Sequence, residues 1–236
     1  MNNSSVSHKS HHYFIGKRLK KNEAMKIREI QQKIFQKNSY LDENTKIGNI
    51  YTPFVYLGYF DESIEEKLKN MVLPEFFAIA EKLHPFKCPL KKYTFTGQSK
   101  RFKYLGLEYD TPQNILIKVI IPFIKYYMDK YIGKNLTYED IPMIPLFRLD
   151  NHNKEIFLEK NQHTFINNQY NFMDIPMPSV KYNIDKKEKY IEIDSLDLMR
   201  ATPTKVRSGK KTFNEQLQVD TLMSIPFNRP NNNKKN

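Results

Sequence analysis

The chain predicts an α+β fold, antiparallel sheets flanked by helices, and three observations carry that expectation. Strand-length apolar runs take turns with amphipathic stretches of helix length. Two of the strand-length runs are separated only by a turn signal, which antiparallel pairing permits and parallel pairing does not. The chain's 236 residues suffice to bury one sizeable core, so a single domain over residues 11–227 is expected.

Taken in order, residues 12–16 (His-Tyr-Phe-Ile-Gly) read as a short strand. Residues 20–37 read as a helix, with Ala24, Ile27, Ile30 and Ile34 on one stripe. Residues 52–60 are strand-like. A second helix is expected from Asp61 or Ser63, both good N-caps, with Ile64, Leu68, Met71 and Val72 on one face. Pro74 should break or kink it before residues 76–83 resume. Residues 86–95 and 102–109 read as a hairpin around Thr96-Gly97-Gln98-Ser99. Thr111-Pro112 then opens an apolar helix through Ile115, Val119, Phe123 and Tyr127 to a Gly133 stop, with a kink at Pro122. Strands follow at 178–184 and 190–196. A basic loop around Ser208-Gly209 leads to a short amphipathic segment with Phe213, Leu217 and Leu222. Residues 1–10 and 228–236 are polar tails.

The segment Thr52-Pro53-Phe54-Val55-Tyr56-Leu57-Gly58 resembles the first signature strand of the two-histidine phosphoesterases, the RNA 2′,3′-cyclic phosphodiesterase and RNA ligase-like family, whose pattern is close to Pro-His-x-Thr-Leu-Gly. Phe54 then stands at the histidine position and Tyr56 at the threonine position. The element order resembles that family as well, which implies two lobes and an insertion near 136–174. For the second signature, Pro178-Ser179-Val180-Lys181 puts Ser179 at the histidine position and Lys181 at the threonine position. A rival register, Pro142-Met143-Ile144-Pro145-Leu146, puts Met143 there instead. The first is preferred because Pro145 would remove a ladder donor inside a strand.

The resemblance implies what has been lost. The family's histidines flank a phosphate as general acid and base, and the hydroxyl two residues on holds a phosphate oxygen. Residues i and i+2 of a strand share a face, which is why the pairing works. Phe54 and Ser179 cannot carry a proton near neutral pH, so no catalytic residue is expected. Tyr56, Ser179 and Lys181 could still hold a phosphate in the cleft between the lobes, or Phe54 could simply fill that cleft as core.

Composition adds the class of partner. Thirty-eight Lys and Arg against 26 Asp and Glu give a formal charge of +12, which favours phosphate backbones or acidic surfaces. Lys91, Lys92, Lys100 and Arg101 interleave with Tyr93, Phe95, Phe102 and Tyr104, a pattern used for single-stranded RNA and equally the pattern of a half-buried hairpin. Lys205, Arg207, Lys210 and Lys211 form a later basic cluster. The expected function is a catalytically inactive phosphoesterase-like protein that binds RNA or a phosphate-containing nucleotide. The alternatives are a phosphodiesterase with a rearranged site, recruiting His84 or His163, and a protein-protein interaction module with a filled cleft.

Some chemistry is not expected. Cys88 is the only cysteine, so no zinc site and no intramolecular disulfide is predicted, and a reducing intracellular compartment, cytoplasm or nucleus, follows. No cofactor fingerprint, secretory signal or membrane-length apolar run is found. His8, His11 and His12 read as part of the N-terminal tail or its junction with the first strand.

Overall fold

A computed structural model describes residues 11–41, 45–96, 102–132, 137–138, 142–160, 190–208 and 212–228. Among these, nine strands form two antiparallel sheets. The strands are β1 (His11–Arg18), β2 (Tyr51–Phe60), β3 (Phe86–Thr96), β4 (Phe102–Tyr109), β5 (Thr137–Tyr138), β6 (Met143–Asp150), β7 (Tyr190–Ile193), β8 (Ser195–Ser208) and β9 (Thr212–Pro226). One sheet runs in the order β5-β2-β1-β8-β9, the other β6-β4-β3-β7. The chain crosses from one sheet to the other at Asp194, between β7 and β8.

The helices are α1 (Lys21–Lys37), α2 (Ser63–Lys67), α3 (Leu73–Ala80), α4 (Ile121–Ile132) and α5 (Asn151–Lys160). The stripe expected on α1 is present, with Ile27 and Ile34 buried. Neither Pro74 nor Pro122 ends its helix. Each is the second residue after a π-helical turn, Leu68–Val72 and Leu116–Ile120, and the widened turn accommodates a proline that lacks an N–H. The stripe expected on the third long helix is rotated by one residue. Leu116, Ile120, Ile124 and Met128 are buried, whereas Val119 is 44% exposed. That segment is apolar on nearly every side, so periodicity alone did not choose its face.

A single apolar core joins both sheets to the helices. It includes Tyr13 and Ile15 of β1, Phe54 and Val55 of β2, Ile27 of α1, Phe76 of α3, Leu105 of β4, Ile124 of α4 and Leu146 of β6. Among the described residues, no helix is long and apolar enough to cross a membrane.

Three expectations from the sequence are corrected. Residues 143–150, inside the stretch read as an insertion, form β6, which pairs with β4. Residues 205–208 are not a loop, and residues 213–222 are not a separate amphipathic segment: both belong to the long β8–β9 hairpin. The strand expected at 178–184 lies outside the described residues.

The two halves repeat one local device. Gly16 of β1 faces Pro53 of β2, and the next residue, Phe54, is bulged out of register with β1. Gly106 of β4 faces Pro145 of β6, and the next residue, Leu146, is bulged in the same way. A Cβ on Gly16 would lie 2.2 Å from the Thr52 carbonyl oxygen. One on Gly106 would lie 2.6 Å from Met143 Sδ and 2.9 Å from the Ile144 oxygen. Glycine is therefore required at both places by close backbone approach. The bulge also explains how Pro145 is tolerated inside a strand, since a bulge already interrupts the ladder.

Candidate functional site: an aromatic junction between the sheets

The bulge decides which side chains reach the junction of the two sheets. In β1, Tyr13 and Ile15 enter the main core while Phe14 faces the other way, into a second cluster with Ile47, Tyr51, Met199, Ala201 and Val219. Tyr56 lies opposite Phe14 and packs on that cluster. The extra residue at the bulge reverses the strand's parity between 54 and 56. Phe54 therefore points into the main core, at 0% exposure, and Tyr56 points out of it. The expectation that they share a face is corrected for this reason.

The rings are in contact. Phe14 lies 5.0 Å from Tyr51 and 6.1 Å from Tyr56, centroid to centroid. His12 stacks on Tyr56 at 5.5 Å and lies 4.9 Å from Tyr59, whose side chain is 67% exposed. Burial lowers the pKa of His12 below its ordinary value, which favours the neutral imidazole at neutral pH.

The second sheet reaches the same cluster through Tyr104. Arg148 lies directly opposite Tyr104 in the β4–β6 ladder, so the two share a face. The repeat thus matches Phe14 with Tyr104, Tyr56 with Arg148, and Tyr51 with Met143, the last two standing two residues before their prolines. The halves are joined directly: Thr52 Oγ1 donates to the Met143 carbonyl oxygen at 2.9 Å and lies 2.6 Å from the Tyr109 hydroxyl. Gln31 Nε2 donates to the carbonyls of Leu146 and Ile47, closing the connection before β2 against β6.

Of the binding residues expected from the sequence, Tyr56 is at this junction. Lys91 is not aimed at it: its ammonium pairs with Asp110 at 2.8 Å and Glu108 at 3.9 Å. Lys92 lies in β3, with its side chain outside what is described. Ser179, Lys181, Lys100 and Arg101 lie outside the described residues. Sequence reasoning missed Phe14, Tyr51 and Arg148, named Tyr104 only as one ring of the basic hairpin, and left His12 to the tail or its junction with the first strand. The signal for the second half was the Pro142–Leu146 register, set aside because of Pro145.

The other histidines are spread apart. His11 lies 3.2 Å from Glu62 and 3.1 Å from Thr202, and His84 bonds the Asn228 carbonyl. Among the described residues, no three His, Cys, Asp or Glu side chains are grouped to hold a metal ion. Cys88 is buried, and desolvation pushes its thiol up to about 12.

A second polar site lies where β1 meets the β7–β8 crossing, beside an open pocket of about 810 Å³ lined by Lys17, Glu81, Asp194, Ser195, Ser224, Pro226, Phe227 and Asn228. Lys17 Nζ contacts Asp194 at 2.8 Å and donates to Ser195 Oγ at 2.9 Å. Ser195 and Ser224 both donate to Asp197, which also accepts the Arg18 N–H. Lys20 reaches Asp194 and Glu192. Both Asp194 oxygens thus meet a lysine, and the network ties β1 to the residue at which the chain changes sheet.

No protein-family model matches the sequence, and no curated protein sequence matches it significantly. Solved structures do match the fold. TT0787 of Thermus thermophilus is 10% identical over 92% of this chain and 97% of its own, with a TM-score of 0.54. Usb1 of Kluyveromyces marxianus is 9% identical over 94% of this chain and 100% of its own, at 0.51. LigT of E. coli, in a complex with NADP+, is 13% identical over 93% of this chain and 98% of its own, also at 0.51. The chain therefore has the α+β fold of the two-histidine phosphoesterases.

Proposed function

We propose that this chain binds RNA or a phosphate-containing nucleotide at the aromatic junction and does not hydrolyse it. One observation carries the reading. The two strand segments that the repeat makes equivalent present Tyr51 and Met143, not two imidazoles, and they are framed by Phe14, Tyr56, Tyr104 and Arg148. Acid-base catalysis needs groups that titrate near the working pH. A phenol with an ordinary pKa near 10 and a thioether do not. Rings and a guanidinium on one face, by contrast, are what a nucleotide uses: stacking for the base and charge-assisted hydrogen bonds for the phosphate. A structure of the same fold is a complex with NADP+, which is consistent with a nucleotide as ligand.

The degenerate signature positions in this reading are Tyr51 with Pro53 and Met143 with Pro145, replacing Phe54 with Tyr56 and Ser179 with Lys181. A second reading has its own support: Phe14 and Tyr51 are nearly fully buried, so the junction could be filled and the surface turned to another protein.

Fluorescence polarisation with a labelled short RNA ending in a 2′,3′-cyclic phosphate separates the readings. Binding that weakens in Arg148→Ala and Tyr56→Ala, with the RNA recovered intact, is the expected result. Cleavage of the RNA would replace this reading with a rearranged enzyme, and no binding to any RNA or nucleotide would favour the protein partner.

A further inference from the structure

β2 carries a second bulge beyond the one at Phe54. Tyr13 of β1 faces Gly58 while Phe14 faces Tyr56, so Leu57 is the extra residue. Gly58 sits at a φ of 100°, a conformation that glycine adopts without the Cβ clash other residues meet. Tyr56 and Tyr59 stand an odd number of residues apart and would lie on opposite faces of a regular strand. The extra residue turns Leu57 into the main core and returns Tyr59 to the face of Tyr56, directly across from His12.

The result is a continuous run of rings from the junction to its rim. Tyr51 contacts Phe14, Phe14 contacts Tyr56, Tyr56 stacks on His12 at an interplanar angle of 21°, and His12 meets Tyr59 at 37°. Exposure rises along it: Tyr51 and Phe14 are buried, Tyr56 and His12 half-buried, and Tyr59 exposed. Burial gives this last ring little to contribute to the core, yet the imidazole beside it holds it in line with the others. Tyr56 lies across from Phe14 and Tyr59 across from His12, so the two tyrosines are offset by two residues of ladder, about 7 Å. That is twice the spacing of about 3.4 Å between stacked nucleotides of one strand, room for each tyrosine to take its own base.

We propose that His12 and Tyr59 form a second base subsite beside the junction, and that the ligand is a single-stranded RNA of two or more nucleotides rather than a mononucleotide. The base nearest the bound phosphate lies against Tyr56, and the base on its 5′ side stacks on Tyr59, where stacking on a ring accepts any base. This subsite rests on the reading of the junction given above and extends it from one nucleotide to two.

The test uses the full chain, isothermal titration calorimetry and three unlabelled ligands: adenosine 2′,3′-cyclic phosphate, the adenosine dinucleotide with the same cyclic end, and that dinucleotide with its 5′ base removed. Wild type should bind the dinucleotide about ten-fold more tightly than the mononucleotide, and the abasic form should lose most of that gain. Tyr59→Ala should bind dinucleotide and mononucleotide alike, with the mononucleotide affinity of wild type. Tyr59→Phe keeps the ring and should keep the preference. Tyr126→Ala, which removes an exposed tyrosine of α4, should bind as wild type does. Three results overturn the subsite and leave the junction reading standing: a wild type that binds the mononucleotide as tightly as the dinucleotide, an abasic form that keeps the whole gain and so assigns it to the added phosphate, or a Tyr59→Ala variant that binds the dinucleotide as Tyr126→Ala does. A wild-type protein that binds none of the three ligands sinks the junction reading itself, and the subsite with it.

Discussion

Thr52 is the atom-scale joint between the two halves, and its removal is a test of the whole arrangement. Its hydroxyl donates to the Met143 carbonyl and therefore accepts from the Tyr109 hydroxyl. All three residues are at most 1% exposed. Burial raises the Tyr109 phenol well above its ordinary pKa, so it stays a neutral donor. Thr52→Val keeps the volume and strands two buried polar groups at about 1–3 kcal/mol each, roughly 2–6 kcal/mol in total. Tyr109→Phe leaves the bond to Met143 in place and should cost about 1 kcal/mol. In the double variant the tyrosine hydroxyl is gone and only the Met143 carbonyl is stranded. Urea denaturation of the four proteins should therefore show a double variant that is less destabilised than the sum of the singles by about 1 kcal/mol or more. Additivity to within about 0.5 kcal/mol would mean that the two hydroxyls are not bonded, and the proposed meeting of β2 and β6 at this point would fail.

The two glycines offer a symmetric pair of perturbations. Gly16→Ala and Gly106→Ala should each lower stability by about 1–3 kcal/mol or more, with Gly16 the worse because its added carbon would lie 2.2 Å from a backbone oxygen, against 2.9 Å at Gly106, where the nearer atom belongs to the Met143 side chain; a variant as stable as wild type by thermal melt would contradict the close approach. Acid should act through Asp194. Burial alone would raise this carboxyl, but the hydrogen bonds and charges of Lys17 and Lys20 outweigh it and hold the pKa below its ordinary value. A lowered folded-state pKa contributes stability that is present above the unfolded value, near 3.9, and is lost as pH falls through the folded one. Asp194→Asn should therefore be less stable at neutral pH and show a flatter decline below about pH 4 than wild type; parallel acid limbs would show that the pair does not contribute in this way.

Much of the fold was legible because its signals are local. The α1 stripe, the hairpin of β3 and β4 and the proline-led first turn after Thr111 depend on residues within one element, and each could be read from spacing. The candidate site was less legible because it depends on parity, and parity is changed by single bulged residues. Nothing in Thr52-Pro53-Phe54-Val55-Tyr56 announces that Phe54 is extra; only pairing with β1 makes it so. Pro145 misled for a related reason: a proline argues against a regular ladder, yet a bulge removes the objection. Arg148 was passed over because its partner, Tyr104, is more than forty residues away in sequence, and only the β4–β6 register places them together.

The same parity argument supplies a test of which residues occupy the signature positions. If Phe54 faced the junction, an imidazole there would sit among half-buried rings and find water. In the fold described here Phe54 is enclosed by Tyr13, Ile15, Val55 and other apolar core residues, so Phe54→His loses apolar burial and leaves ring nitrogens to be satisfied in a dry core. The cost should be about 3–5 kcal/mol. Tyr51 belongs to the smaller cluster, which Tyr56 and Tyr104 border as half-buried side chains. An imidazole at 51 keeps ring contact with Phe14, and Tyr51→His should cost less, about 1–2 kcal/mol. Urea midpoints measured at a pH where both imidazoles are neutral decide the matter. A Phe54→His variant more stable than Tyr51→His would put residue 54 back on the junction face and return the signature to the register read first from the sequence.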